Sequence, residues 1–106
     1  MITYEDFKKI ELKTGLILSV DDVEGSEKLY QLSVRIGEEK KQIIAGLKKY
    51  YSKAELLNKT VIVVYNLEPK KIFGLTSEGM LLAVESKGIV SLLTPDKPMP
   101  SGLRVW

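Results

Sequence analysis

The chain of 106 residues contains no cysteine and no histidine. The first absence rules out a disulfide framework and any thiolate zinc site. The second removes the commonest metal ligand and the side chain best suited to general-base work near neutral pH. Carboxylate, Lys and Tyr chemistry stay open, but the 14 acidic residues are scattered among 16 Lys and Arg. They form no Asp-rich run and no carboxylate pair of the kind that metal or glycosidic sites use. No catalytic residue is assigned, no metal or cofactor is expected, and the chain reads as a non-catalytic module. Long apolar runs are missing too: nothing approaches the roughly 18 residues of a membrane span. Glu5 and Asp6 stand where a signal peptide would be apolar, so a cytoplasmic protein with no membrane partner is expected. Proline is scarce, with 4 residues against a 44% hydrophobic and 28% charged background, which is ordinary globular composition. The length suits one domain over residues 1–106. A net charge of only +2 means that any nucleic-acid footprint must come from how the lysines are grouped.

The pattern along the chain is largely β. Thr3 followed by Asp6 is a possible N-cap for a short helix that Phe7 and Ile10 could dock onto a core. Leu12 to Val20 reads as the first strand, with Gly15 marking a bulge or sharp bend. Residues 21–27 form a polar loop with Lys28 at its exit. Tyr30, Leu32, Val34 and Ile36 alternate with Gln31, Ser33 and Arg35, the period of a half-buried strand. Gly37 to Lys40 supplies a turn into a third strand, Gln42 to Ala45, ended by Gly46. Ser52-x-x-Glu55 is a capping box and opens a short helix. The β-branched run from Thr60 to Tyr65 is a buried strand. Asn66 to Ser77 is a loop containing Pro69 and Gly74. Gly79 to Glu85 and Ile89 to Leu93 read as one strand broken, or two strands joined, by Ser86-Lys87-Gly88. A Pro-rich tail ends in Leu103, Val105 and Trp106. The order strand, strand, strand, helix, strand, strand is that of an all-β, five-stranded OB-fold: a Greek-key barrel with a short helix between strands three and four, here with a C-terminal extension. Such barrels bind oligonucleotides or oligosaccharides on strands two and three and on the loops one-two and four-five.

Those loops are where binding residues are sought. Lys70 and Lys71 could contact phosphates as point charges, or could only keep a loop tip hydrated while Phe73 caps a barrel end. Lys28 reaches the same barrel face. Tyr30 beside it is read as core in preference to a stacking platform. Lys48, Lys49 and Lys53, with Tyr50 and Tyr51, read as a solvated approach to the helix and are left out of the site. Ser77-Glu78-Gly79-Met80 puts a hydroxyl and a thioether beside the proposed face, although a Met at a strand start is more often gap-filling core.

Three segments together, Leu29-Tyr30-x-Leu32, Asn66-Leu67-x-Pro69-Lys70-Lys71-x-x-Gly74 and Ser77-x-Gly79-Met80, resemble the tRNA-binding domain family. Its members include the carboxy-terminal domain or separate beta subunit of methionyl-tRNA synthetase and stand-alone tRNA-binding proteins. Supporting matches are Asp6-Phe7-x-Lys9-Ile10-Glu11-Leu12-x-x-Gly15, Gln42-Ile43-Ile44-x-Gly46 and Tyr51-x-x-x-Glu55-Leu56-x-x-Lys59, so the resemblance covers essentially the whole chain. It implies an OB-fold that grips the outer corner of tRNA by shape, without reading an anticodon. By resemblance the ligand-facing positions are Lys28, Asn66, Lys70, Ser77 and Met80, with Lys71 beside them. It further implies a homodimer built through residues 87–106, which would employ the apolar end at Leu103, Val105 and Trp106, and a possible methionyl-tRNA synthetase catalytic subunit as partner. The chain departs from the family in two places. Val23-Glu24-Gly25-Ser26 stands where members often have His-Pro, and Glu68 and Phe73 stand where many carry Lys and Arg. Weaker binding follows from the lost charge. A chaperone-like branch of the family binds polypeptide in its dimeric groove and lacks the Ser-x-Gly-Met segment. An esterase on this barrel would need a base to activate Ser77, and the chain has no histidine.

Overall fold

The computed structural model describes all 106 residues, Met1–Trp106. Five strands build the body: β1 (Leu12–Asp22), β2 (Tyr30–Ile36), β3 (Glu39–Ala45), β4 (Thr60–Val64) and, later in the chain, β7 (Met80–Leu81). They lie in the order β3-β2-β1-β4-β7 with antiparallel neighbours, the Greek-key order of an OB-type barrel. The helix α2 (Lys53–Leu56) bridges β3 and β4. Its capping box is complete: Ser52 Oγ accepts from Glu55 N at 3.2 Å and Glu55 Oε1 accepts from Ser52 N at 2.8 Å.

Alternation along β2 buries Tyr30, Leu32, Val34 and Ile36, as the period-2 pattern required. Ile17, Leu32, Val34, Ile43, Leu56, Val61 and Val63 are fully buried together. Each such aliphatic side chain contributes about 1.5–3 kcal/mol of burial. Tyr30 belongs to this core, and its hydroxyl donates to Tyr51 O at 2.8 Å.

The barrel is not closed by a ladder between β3 and β7. Its seam is bridged by hydrogen bonds between β3 and the segment just before β7. Ile44 N donates to Ser77 Oγ (3.0 Å), Gln42 N donates to Glu78 Oε1 (2.8 Å), Glu78 N donates to Gln42 O (2.8 Å), and Gln42 Nε2 reaches Thr76 O (2.9 Å). An unpaired strand edge is thereby satisfied without an added strand. Tyr65, just after β4, is half-buried against the core, and its ring takes the ammonium groups of Lys13 (3.8 Å) and Lys41 (4.1 Å). The Tyr65 hydroxyl bonds Glu39, and this bond, with partial burial, holds the phenol above its ordinary pKa.

Three expectations change and one open choice is decided. Gly15 is not at a bulge; the register shift of β1 against β2 falls between Ile17 and Ser19. Gly15 lies instead over the core, where a β-carbon would come 2.7 Å from Val34 Cγ1. The first helix, α1 (Tyr4–Lys8), carries the Thr3–Asp6 cap but buries no residue, and Phe7 and Ile10 stay exposed. It is tethered by Asn66, which donates from Nδ2 to Lys9 O (2.7 Å) and accepts at Oδ1 from Glu11 N (2.9 Å). The loop four-five is a hairpin, β5 (Lys70–Ile72) against β6 (Leu75–Ser77). Last, the choice left open for residues 79–93 is decided: β7 is a two-residue strand, and β8 (Ala83–Ser86) and β9 (Ile89–Leu92) form a separate hairpin turned by Lys87 and Gly88.

The tail folds back on its own chain. Its last strand, β10 (Arg104–Val105), pairs with Leu12 and Lys13 of β1. Thr14 holds it at four points: Thr14 N donates to Leu103 O (2.9 Å), Gly102 N to Thr14 O (2.8 Å), Thr14 Oγ1 to Pro100 O (2.9 Å), and Leu103 N to Thr14 Oγ1 (2.9 Å).

Candidate nucleic-acid interface

Two loops at one end of the barrel carry the lysines singled out in the sequence. The β5–β6 hairpin pairs Lys70 with Ser77 and Lys71 with Thr76, leaving both lysines exposed. Its two-residue turn is Phe73-Gly74, with both residues at positive φ (55° and 81°). Such a turn matches the twist of the flanking strands, but a bulky aromatic rarely occupies it. The Phe73 ring is where the compensation lies. It rests on Gly25 of the loop between β1 and β2, where a β-carbon would sit 3.5 Å from Phe73 Cε2. The hairpin bearing Lys70 and Lys71 is thus braced against the loop bearing Lys28.

That second loop is held although it lacks a His-Pro pair. Val23 is buried, Ser26 N donates to Val23 O (3.0 Å), and Ser26 Oγ accepts from the backbone N–H groups of Lys28 (3.2 Å) and Leu29 (3.1 Å). A hydroxyl-capped turn supplies the rigidity that proline would otherwise give.

The six candidate residues fall into two kinds. Lys28, Lys70, Lys71 and Met80 project to solvent, and none of the three lysines is in an ion pair. Met80 is 45% exposed and lines an apolar groove of about 180 Å³ with Ile44, Leu47 and Leu92. Asn66 and Ser77 have their polar atoms committed within the chain. Asn66 ties the segment after α1 to the end of β4, and Ser77 is 4% exposed, accepting from Ile44 N and donating to Gly79 O (3.0 Å). Glu78, which no local pattern marked, completes the same seam, because its partner Gln42 lies 36 positions away in sequence.

The lysine cluster before α2 divides as well. Asp22 takes Lys48 and Lys53 at 3.1 Å each, and these two ammonium groups, Lys53 foremost, hold its carboxyl below the usual range. Glu55 is likewise lowered by the N-cap bonds of Ser52. Both shifts have the same sign for stability. A carboxylate favoured in the fold contributes above its unfolded pKa, and that contribution disappears as pH falls through the lower, folded value. With no histidine and these displacements pointing away from neutrality, ligand affinity at constant salt should be flat from pH 5.5 to 7. A titration series showing a step near pH 6.5 would contradict this.

Comparison with known proteins follows the same lines. Residues 12–104 match the family model described as "Putative tRNA binding domain". The chain is 48% identical over 104 residues to a methionine–tRNA ligase of Caldanaerobacter subterraneus subsp. tengcongensis and 50% identical over 105 residues to that of Methanococcus vannielii. In each case 98–99% of this chain is covered but only 16% of the relative, so it spans about one sixth of these enzymes. Among solved structures, a protein of Pyrococcus horikoshii related to methionyl-tRNA synthetase superposes with a TM-score of 0.93 at 34% identity, covering 100% of this chain and 98% of that one. A CsaA chaperone protein of Picrophilus torridus gives 0.91 at 38% identity, with both chains fully covered. Motif, barrel and relatives agree: this chain belongs to the tRNA-binding domain family.

Proposed function

We propose that the chain is a non-catalytic module that binds folded tRNA by shape, works in the cytoplasm, and serves a methionyl-tRNA synthetase as an appended domain or separate subunit. The observation that carries this reading is the brace of Phe73 on Gly25, which joins two loops bearing three lysines free of ion pairs. Lys28, Lys70 and Lys71 capture the phosphates, Met80 packs against the ligand, and Asn66 and Ser77 hold the frame. Phosphate contacts fix position without reading sequence, which suits recognition of a shape shared by all tRNAs. A homodimer through residues 87–106, with Leu103, Val105 and Trp106 at the interface, is part of the proposal. Leu103 is 42% and Trp106 98% exposed, whereas Val105, paired with Leu12 of β1, is half-buried.

The test is a titration against mixed tRNA and an unstructured RNA of equal length at two salt concentrations. Preference for tRNA with a steep salt slope is expected. Each phosphate-contacting lysine adds roughly 0.7–0.9 to that slope, so Lys70→Ala should reduce it by that amount and weaken all tRNAs alike. An unchanged slope removes Lys70 from the interface.

The likeness to a CsaA chaperone, together with the apolar groove at Met80, favours a second reading, polypeptide binding. Equal, weak affinity for both RNAs with retention of an unfolded protein would put that reading first.

A further inference from the structure

Next to Lys28 lies a cleft of about 370 Å³ lined by Lys28, Leu29, Gly46, Lys49 and Tyr50. Gly46 also lines the apolar groove of Met80, so the two depressions meet across this one residue. Gly46 does not occupy the left-handed region, and a β-carbon there would meet nothing within 4 Å. Neither backbone conformation nor packing therefore calls for glycine at this position. What glycine does is keep the floor between the two depressions clear.

The side chains around this floor have been sorted by their neighbours. Lys48 and Lys53 are neutralised by Asp22, whereas Lys28 and Lys49 have no acidic partner. Tyr51 is spent on the fold, since its hydroxyl accepts from Leu92 N (3.1 Å) and its carbonyl accepts from Tyr30. Tyr50 is 42% exposed and forms no side-chain hydrogen bond. Its backbone is nonetheless rigid: Tyr50 N and Tyr51 N both donate to Leu47 O (2.9 Å), Leu47 is buried, and Lys48 N donates to Lys28 O (3.2 Å). An aromatic ring on a fixed turn, two unpaired cations and an adjoining apolar trough match the three parts of a nucleotide ligand.

We propose that the Gly46 floor seats one unpaired nucleotide of a bound RNA. Its base lies against Tyr50 and runs toward the Met80 groove, while its phosphate is held by Lys28 and Lys49. The proposal deepens the tRNA-binding reading and rests on it only for the identity of the natural RNA. Stacking on an aromatic face is tolerant of base identity, so the groove adds affinity without choosing among tRNAs.

The experiment uses the full chain and a short unstructured oligoribonucleotide carrying one 2-aminopurine, with folded tRNA titrated in parallel. Binding should quench the fluorophore. Tyr50→Ala should weaken the oligonucleotide on the order of tenfold, as loss of one base stack does, and Tyr50→Phe should retain both affinity and quenching. Gly46→Leu, which fills the floor, should match Tyr50→Ala while leaving the thermal transition in place. Lys49→Gln should lower the salt slope by roughly 0.7–0.9. Equal binding and quenching in unaltered protein, Tyr50→Ala and Gly46→Leu would overturn the groove, whatever tRNA does. Tyr50-dependent oligonucleotide binding without affinity for folded tRNA would uphold the groove and remove the tRNA reading. Gly46-dependent binding of an unfolded polypeptide with no quenching of the oligonucleotide would overturn the proposal and give the groove to protein.

Discussion

A Gly102→Ala protein is expected to melt more than about 10 °C below the parent. Gly102 sits at φ +89°, where an alanine costs about 1–3 kcal/mol of strain. The space is closed as well: a β-carbon would lie 2.7 Å from both Cα and N of Gly37, and backbone cannot swing aside as a side-chain tip can. The tail must move, and with it go the four hydrogen bonds of Thr14 to Pro100, Gly102 and Leu103. A total near 3 kcal/mol is expected, and each 1 kcal/mol shifts the melting point of a domain of roughly this size by about 4–8 °C. Calorimetry measures the shift, and an unchanged transition would mean that the tail is not held at Gly102. The same variant bears on assembly. If residues 87–106 build the dimer, the unaltered chain should sediment as a dimer and Gly102→Ala should sediment lighter. A monomeric unaltered chain would remove the interface proposed for Leu103, Val105 and Trp106.

Ser77→Ala should be nearly as costly, for a different reason. The hydroxyl is buried, and its removal leaves Ile44 N–H and one lone pair of Gly79 without partners at the seam between β3 and β7. A buried polar group stripped of its partner costs about 1–3 kcal/mol. The seam has no ladder to compensate, so accelerated amide exchange at Ile44 and a lowered melting point are expected together. No charge is lost, and the salt slope for tRNA should not change. A Ser77→Ala protein of parental stability that still fails to bind tRNA would return Ser77 from the frame to the ligand contact.

Much of this barrel is readable along the chain because its strands write their burial locally. The alternation of Tyr30, Leu32, Val34 and Ile36 and the capping box at Ser52 and Glu55 need no distant partner to be recognised. The lysine pair and the Ser-x-Gly-Met segment were legible as a family motif, and their positions beside the barrel followed from strand order. The short elements were not legible in the same way. A three-residue strand such as β5 carries too little periodicity to stand out from a loop, and Phe73 is an unusual residue for the turn that joins β5 to β6. Phe7 and Ile10 show the converse: apolar residues at the first helix suggested docking onto the core, yet the single chain leaves them 37% and 44% exposed.

Composition and local pattern by themselves determined that this is an all-β chain with an OB-type strand order, without thiolate or imidazole chemistry, and with lysines on the two loops where such barrels bind. Only the tertiary structure decided what individual polar atoms do. Asn66 bonds residues 55 and 57 positions away, Ser77 bonds a strand 33 positions away, and Asp22 selects which of three neighbouring lysines remain free. The reason is physical. Burial preference is a property of each side chain and leaves a trace at each position, whereas the partner of a hydrogen bond or an ion pair is set by whatever the folded chain brings within about 3 Å.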